Sequence, residues 1–355
     1  MGANLLILAG TLLLPSSQYD TTDLDEQPSH GIGYERLSDV LEYNRVQGLS
    51  VGLGYHARLP GTGSTSGYVT LRYGASDERV TGRVSIIAEP RRGYFRLSGY
   101  SDLADVDPFS PGRTIPNTLN SLFSGHDNAD YALSRGASLT WQTPVKRTLN
   151  LELATSVERW SSAARVARSA VNDFLGGTGV FPLNPAVREG TFGTASAQLR
   201  QRGRIRWNLA LDIRGGTGST VGRLWGAARR SIGSGPGITI QLKAGVGTEP
   251  ALPQTVFRLG GLHTVRGFEY GTLRAPAFWA TQLDLALLPG RIRPILFLDA
   301  GQASRTRDLL SSEALVGGGA GLSLFKGLIR FDLSHPISPD IGGKVRFDIV
   351  VQGVP

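Results

Sequence analysis

The sequence predicts an all-β fold, a transmembrane antiparallel β-barrel of about 16 strands. Three observations lead to this prediction. Segments of 9 to 14 residues alternate apolar and polar side chains from about Gly48 to the end of the chain. Short turns and long loops alternate between these segments. The longest apolar run, Asn4 to Pro15, has about twelve residues, whereas a membrane-spanning helix needs roughly 20.

A period of two places successive side chains on opposite faces of a strand. Phe331 and Leu333, for example, alternate with Asp332. The predicted strands also have the length that a tilted bilayer crossing requires, about 9–11 residues, rather than the five or six common in soluble proteins. The predicted strands are 49–59, 67–75, 79–89, 93–101, 130–143, 147–159, 191–202, 204–214, 220–232, 237–247, 278–288, 292–302, 313–325, 327–335 and 343–352.

The same alternation assigns a face to each side chain. An arginine at the bilayer midplane on the lipid face costs roughly 2–4 kcal/mol, so charged positions should face the lumen. The residues predicted to face lipid are Val345, Phe347, Ile349, Val351, Ile329, Phe331, Leu333, Leu296 and Leu298. The residues predicted to face the lumen are Lys344, Arg346, Asp348, Arg330, Asp332, Ser334 and Asp299.

The connections favour a membrane barrel over a large soluble β-protein such as a propeller. Long loops on one side and short turns on the other are typical of outer-membrane barrels, with the long loops outside the cell. A soluble fold would explain the alternating side chains but neither the strand length nor this asymmetry. Short turns are predicted at 90–92, 144–146, 203, 233–236, 289–291 and 326–327, and long loops at 102–129, 160–190, 248–277 and 303–312.

An even strand number requires one more strand before 49–59, because bacterial single-chain barrels have even counts. The candidate is 31–43. We therefore expect an N-terminal segment over 1–30, a signal remnant or a linker, and a transmembrane β-barrel domain over 31–355. Residues 4–15 have the length of a signal-peptide apolar region but no Lys or Arg before them. A signal remnant, a wrongly assigned start and the last strand of a missing domain all stay open.

Composition excludes several classes of function. With no Cys, the chain has no disulfide framework, thiol nucleophile or Cys-ligated metal. The net charge of +8 could indicate nucleic acid, but the arginines are spread singly, so no nucleic-acid role is expected. No cofactor or metal is predicted, although Asp102, Asp105 and Asp107 could offer carboxylates to calcium if they are not simply a solvated turn. No G-x-S-x-G motif supports hydrolysis, and no enzyme is expected.

The most informative stretch is 256–301, where a long loop precedes two predicted strands. Paired glycines and a Val265-Arg266-Gly267-Phe268 turn suit a loop that folds back into the lumen, because glycine permits positive φ and close backbone approach. A buried guanidinium then needs an anionic partner. Asp284 and Asp299 on the next strands are the candidates for a pair that pins the loop inside the barrel.

These residues resemble those of the bacterial surface antigen family, the superfamily of BamA, TamA and the two-partner-secretion transporters. The resemblance rests on Arg258-Leu259-Gly260-Gly261, on Val265 to Phe268, and on Phe297 with Asp299 and Gly301, and it covers roughly 256–352. It implies a sixteen-stranded barrel in which Arg266 of the lumen loop pairs with Asp299, with Asp284 nearby. Members usually carry periplasmic POTRA domains of some eighty residues, and the roughly 45 residues before strand 49–59 cannot hold one.

Two functions follow from the resemblance. The first is an outer-membrane barrel of the BamA/TamA type that assists insertion or translocation of proteins, and the second is a passive channel or surface barrel. The expected partners are outer-membrane lipid, unfolded client polypeptides and a separate or missing periplasmic domain. The expected location is the bacterial outer membrane. Because a closed sheet pairs its first strand with its last, we also expect a seam there with fewer hydrogen bonds than the interior pairs, either a lateral gate or simple fraying.

Overall fold

The computed structural model describes residues 30–62, 64–110, 112–216, 218–233, 236–338 and 344–351. The predictions for residues 4–15, and for almost all of the segment 1–30, lie outside the described residues. These residues form nineteen strands. They are β1 (His30–Ile32), β2 (Leu41–Asn44), β3 (Gly48–Arg58), β4 (Thr65–Gly74), β5 (Arg79–Ala88), β6 (Tyr94–Asp105), β7 (Tyr131–Lys146), β8 (Leu149–Ser162), β9 (Gly190–Gln201), β10 (Ile205–Gly216), β11 (Ser219–Ile232), β12 (Gly237–Gly247), β13 (Phe257–Leu259), β14 (Leu273–Ala275), β15 (Ala277–Ala286), β16 (Ile292–Ser304), β17 (Leu315–Leu324), β18 (Ile329–Ser338) and β19 (Arg346–Val351).

Seventeen of these strands form one antiparallel sheet. Strands β2–β12 and β15–β19 follow one another in chain order, each paired with its neighbour. The short β1 adds to β3 beside β2. All fifteen strands predicted from Gly48 onward are present, with ends shifted by a few residues, and the antiparallel fold with about 16 barrel strands is confirmed.

The predicted first strand 31–43 is wrong as a continuous element. It is broken into β1 and β2 by a 3-10 turn, Leu37–Asp39. Both pieces pair with β3, and the intervening chain approaches β3 at two glycines, Gly54 and Gly52. A Cβ on Gly52 would lie 2.1 Å from the Asp39 carbonyl oxygen, so the break depends on glycine there.

The sheet is apolar outside and polar inside, the reverse of a soluble barrel. Arg330, Asp332, Ser334, Asp299 and Asp348 are buried in the lumen, as the alternation predicted. On the outer face Leu333, Leu296, Leu298 and Phe347 are exposed. The prediction that Lys344 faces the lumen is wrong. Strand β19 begins only at Arg346, and Lys344 is exposed before it.

Helices are few and short. They are α1 (Ile115–Leu119), a π-helical turn (Asn120–Ser124) that continues it, α2 (Ala170–Phe174), and 3-10 turns at Leu37–Asp39, Thr306–Asp308 and Phe325–Gly327. Within the described ranges, none of the helices has the length and apolar character needed to span a bilayer. The long connections 106–130, 163–189, 248–276 and 305–314 all leave the same end of the sheet, opposite the short turns.

Candidate functional site

The loop 248–276 between β12 and β15 folds into the lumen, as its glycines predicted. Its small hairpin, β13 and β14, is covered by an apolar cluster that includes Phe257, Val265 and Phe268. Gly260 and Gly261 have φ of 106° and 88°, values that side-chain-bearing residues rarely adopt. At Gly267 a Cβ would lie 2.6 Å from the backbone of His335. Glycine therefore lets the Val265–Phe268 turn press against β18.

Arg266 is the centre of an ionic cluster in the lumen. Its Nε and Nη2 donate to the two carboxylate oxygens of Asp299, both at 2.7 Å, and its backbone N–H donates to the same carboxylate at 3.0 Å. Nη2 also contacts Asp284 at 2.8 Å. The Arg266 side chain is 4% exposed and that of Asp299 is 0% exposed. The contact predicted from sequence is therefore present and shielded from solvent.

A third carboxylate and a second cation complete this cluster. Asp332 Oδ2 lies 3.3 Å from Arg266 Nη1, and Arg330 contacts Asp332 at 2.6 Å and Asp284 at 2.9 Å. Two guanidiniums thus share three carboxylates. Sequence analysis placed Arg330 and Asp332 on the lumen face but did not connect them to Arg266. Arg266 and Asp332 are 66 positions apart in the sequence, so only the folded sheet shows this contact.

The remaining predicted site residues surround the cluster. The Phe297 ring lies under the Arg266 guanidinium, 3.8 Å from its carbon to the ring centroid, an arrangement that favours a cation–π contact. At Gly301 a Cβ would lie 2.9 Å from Leu259, so the glycine makes room for the small hairpin. Val265 and Phe268 are buried. The structure brings all eight predicted residues together, and their functional role stays a prediction.

A second loop, 106–130, also enters the lumen, which sequence analysis did not foresee. Arg113 of this loop contacts Glu42 and Asp102, each at 2.8 Å, and Arg72 contacts the same two carboxylates. Asp102 is therefore held by arginines. Asp107, another of the calcium candidates, accepts a hydrogen bond from Tyr270. Asp102 and Asp107 are therefore not part of a solvated turn. Asp102 binds loop 106–130 to the wall of the lumen through Arg113, and Asp107 binds Tyr270.

The two lumen loops are joined to each other. Arg258 Nε of loop 248–276 donates to Asp130 at 2.9 Å, and both side chains are almost fully buried. The Tyr270 hydroxyl donates to Asp107 at 3.0 Å. The loops therefore form one internal body that connects the β15–β18 wall, through Arg266, with the β2–β6 wall, through Arg113.

The ends of the sheet, β2 and β19, form a seam without the ladder seen elsewhere. β2 pairs four residues with β3, and β19 pairs six residues with β18. Among the described residues, no backbone register joins β2 to β19, whereas every other neighbouring pair in the chain has one. The lower hydrogen-bond count expected at this seam stays a prediction.

His263 in loop 248–276 gives the site an expected pH dependence. Burial, and then the nearby Lys243, lowers the pKa of His263 to about 3. Because the folded-state pKa lies below the unfolded value of about 6.5, folding stability falls as the pH drops below 6.5. Between pH 7 and 5 the wild type should lose about 1 kcal/mol more than H263Q, a figure reduced for partial solvent access.

Urea unfolding at both pH values measures this difference. H30Q, at the exposed start of β1, is the control for replacing a histidine by glutamine. Equal pH dependence in H263Q and wild type would contradict the buried neutral imidazole.

The apolar exterior, the polar lumen and the anchored loop define a β-barrel of the outer-membrane type. Residues 239–324 match the model of the family described as haemolysin secretion/activation protein ShlB/FhaC/HecB. Residues 14–165 match the C-terminal domain of a family of unknown function, DUF5686. No curated protein matches this chain in sequence.

One solved structure supports the same fold. BamA from Haemophilus ducreyi lacking POTRA domains 1–3 is similar with a TM-score of 0.62 and 13% identity, covering 98% of this chain and 76% of that one. CdiB from Acinetobacter baumannii has a TM-score of 0.49 and 14% identity, covering 87% of this chain and 57% of that one. The fold is thus similar to the BamA barrel, and the matched segment 239–324 contains Arg266, Asp284 and Asp299.

Proposed function

We propose that this chain is a bacterial outer-membrane barrel that inserts or translocates polypeptides without a chemical step. One observation carries the proposal. Among the described residues, sixteen successive antiparallel strands pair in register with their chain neighbours, and no register joins β2 to β19. Unpaired strand edges are templates for another extended chain. The likeness to BamA in fold, and the match of 239–324 to a secretion family, support the same function.

The anchored loops suit this function. Opening the seam requires β2 and β19 to separate while the rest of the barrel keeps its shape. The Arg266 cluster joins the loop to β15, β16 and β18, and the Arg113 cluster joins the second loop to β2 and β6. These buried ion pairs would hold the walls on either side of the seam in place. Clients would be unfolded polypeptides, and outer-membrane lipid would cover the apolar exterior.

Within this class, we propose the BamA/TamA type, which assists insertion or translocation of proteins, with residues 31–355 acting as the barrel domain. A periplasmic domain would deliver the client. The residues proposed to matter are those of the lumen loop, Val265 to Phe268, with their partners Asp284 and Asp299.

Reconstitution tests the proposal. Liposomes that contain the protein should fold an added urea-denatured outer-membrane barrel several-fold faster than empty liposomes. One cysteine in 41–44 and one in 346–351 would be the sole thiols, since the chain has no Cys, and joining them with a bifunctional maleimide should abolish the acceleration. Steady ion conductance with no acceleration would instead favour a passive channel.

A further inference from the structure

The helical segment of loop 106–130 lies across the seam. This segment, called here the seam helix, consists of α1 and the π-helical turn, residues 115–124. The Thr114 side chain caps its start, Pro116 occupies the first turn, and Gly125 ends it with φ of 69°. The seam helix contacts β2 on one side and β19 on the other.

On the β19 side, one side chain takes the place of a neighbouring strand. Asn120 Nδ2 donates to the Ile349 carbonyl oxygen at 2.6 Å, and the Ile349 backbone N–H donates to Asn120 Oδ1 at 2.7 Å. A residue in an antiparallel ladder exchanges this same pair of bonds with its partner. Asn120 is fully buried and its Nδ2 also donates to the Pro116 carbonyl oxygen. The amide is thus fixed in the position of a strand backbone.

On the β2 side, Thr118 of the seam helix has a similar role. The backbone N–H of Tyr43 donates to the Thr118 hydroxyl at 3.3 Å. Tyr43 is paired with Leu49 of β3 on its other side. Thr118 and Asn120 therefore satisfy backbone groups on both sides of the seam, groups that would otherwise face each other or an incoming chain.

Further hydrogen bonds hold the seam helix in place. Asn117 Nδ2 donates to Asp127 Oδ1 at 2.8 Å, and the Asn128 backbone N–H donates to Asn117 Oδ1 at 2.8 Å. His126 Nδ1 lies 3.2 Å from Asp348 Oδ1 on β19. The Ser169 hydroxyl donates to the Ser121 carbonyl oxygen at 2.6 Å, which connects the seam helix to loop 163–189. All of these are hydrogen bonds, and the buried apolar clusters of the described residues include no residue of the seam helix. Such contacts can be exchanged without disrupting a packed core.

We infer that the seam helix is a displaceable internal ligand of the β19 edge, with Asn120 occupying the site where an extended client strand would pair. In the resting state it covers the edge, which also prevents unwanted strand addition. A client would compete with Asn120 for Ile349. The inference rests on the proposed function but concerns a contact that can be measured without a client.

Thiol accessibility measures that contact. Val350 is the lumen-facing neighbour of Ile349, since it pairs with Arg330 on β18. A cysteine at Val350, the chain's sole thiol, should react with a water-soluble maleimide about tenfold faster when Asn120→Ala is added, the change expected when an amide loses its hydrogen bonds. Phe123→Ala, on the exposed side of the seam helix, is the matched control and should leave the rate unchanged. Equal rates with and without Asn120→Ala, in variants with wild-type circular dichroism, would overturn the inference.

A tether tests displacement during function. In the N120C/V350C variant, oxidation should slow client folding by about tenfold and reduction should restore it. If the oxidised and reduced forms were equally active, the seam helix would not need to move and the inference would fail. If maleimide accessibility rises with Asn120→Ala but neither wild type nor any variant accelerates client folding, the proposed function fails while the contact of the seam helix stands.

Discussion

Replacing Arg266 with alanine is expected to lower the free energy of unfolding by about 3–5 kcal/mol. The change leaves Asp299 fully buried, and Asp284 and Asp332 with Arg330 as their sole cation within the cluster. A buried carboxylate without a partner is costly because its charge is removed from water. Urea unfolding in detergent micelles, followed by tryptophan fluorescence, measures the loss.

Two control variants separate charge from geometry. Arg307 forms an ion pair with Asp308 in which the arginine side chain is 74% exposed, so R307A should change stability by less than about 0.5 kcal/mol. R266K keeps the charge but loses the two-pronged contact with Asp299, and it should fall between R266A and wild type. A loss below about 1 kcal/mol in R266A would show that the cluster does not hold the loop.

Replacing Gly317 with alanine is expected to destabilise the anchored loop by about 1–3 kcal/mol. Gly317 lies opposite Asp299 in the β16–β17 ladder. A Cβ at this position would lie 1.9 Å from the carbonyl oxygen of Arg266. Because that atom is backbone, the loop must move away from the wall, which also weakens the bond from the Arg266 N–H to Asp299.

Gly99 provides the matched control for this substitution. It lies within β6, and a Cβ there would meet no atom within 4 Å. G99A should therefore change stability by less than about 0.5 kcal/mol. Limited proteolysis of loop 248–276 should increase in G317A and not in G99A. Equal protease resistance in the two variants would indicate that the close contact at Gly317 is not needed to seat the loop.

The fold was largely predictable because each membrane strand carries its own signal. Alternation with a period of two, over a length set by the bilayer, identifies a strand such as β18 without knowledge of its neighbours. The segment 31–43 lacked that pattern, and its break at Leu37–Asp39 depends on the approach to Gly52 and Gly54 of another strand. An element that exists only through tertiary contact leaves little trace in local sequence.

The candidate site was predictable in part for the same reason. Arg266, Asp284 and Asp299 lie in one stretch with a recognisable motif, and their contacts are present. Arg113 lies in a loop with a polar sequence, whereas its partners Glu42 and Asp102 lie on strands up to 71 positions away. The local sequence therefore gives no sign of this contact. Asn120 carries no sequence signal at all, because an asparagine in a loop is common and only the folded sheet shows what it binds.

The central claim is that a client polypeptide pairs with the seam. A photo-reactive amino acid at Phe347, on the outer face of β19, should capture a client during folding into liposomes. The same residue at Leu97, equally outward-facing but within the continuous part of the sheet, should capture little. Client adducts at Phe347 that disappear when the seam is cross-linked are the result expected here. Equal capture at both positions, or client folding with no adduct at Phe347, would contradict a function based on the seam.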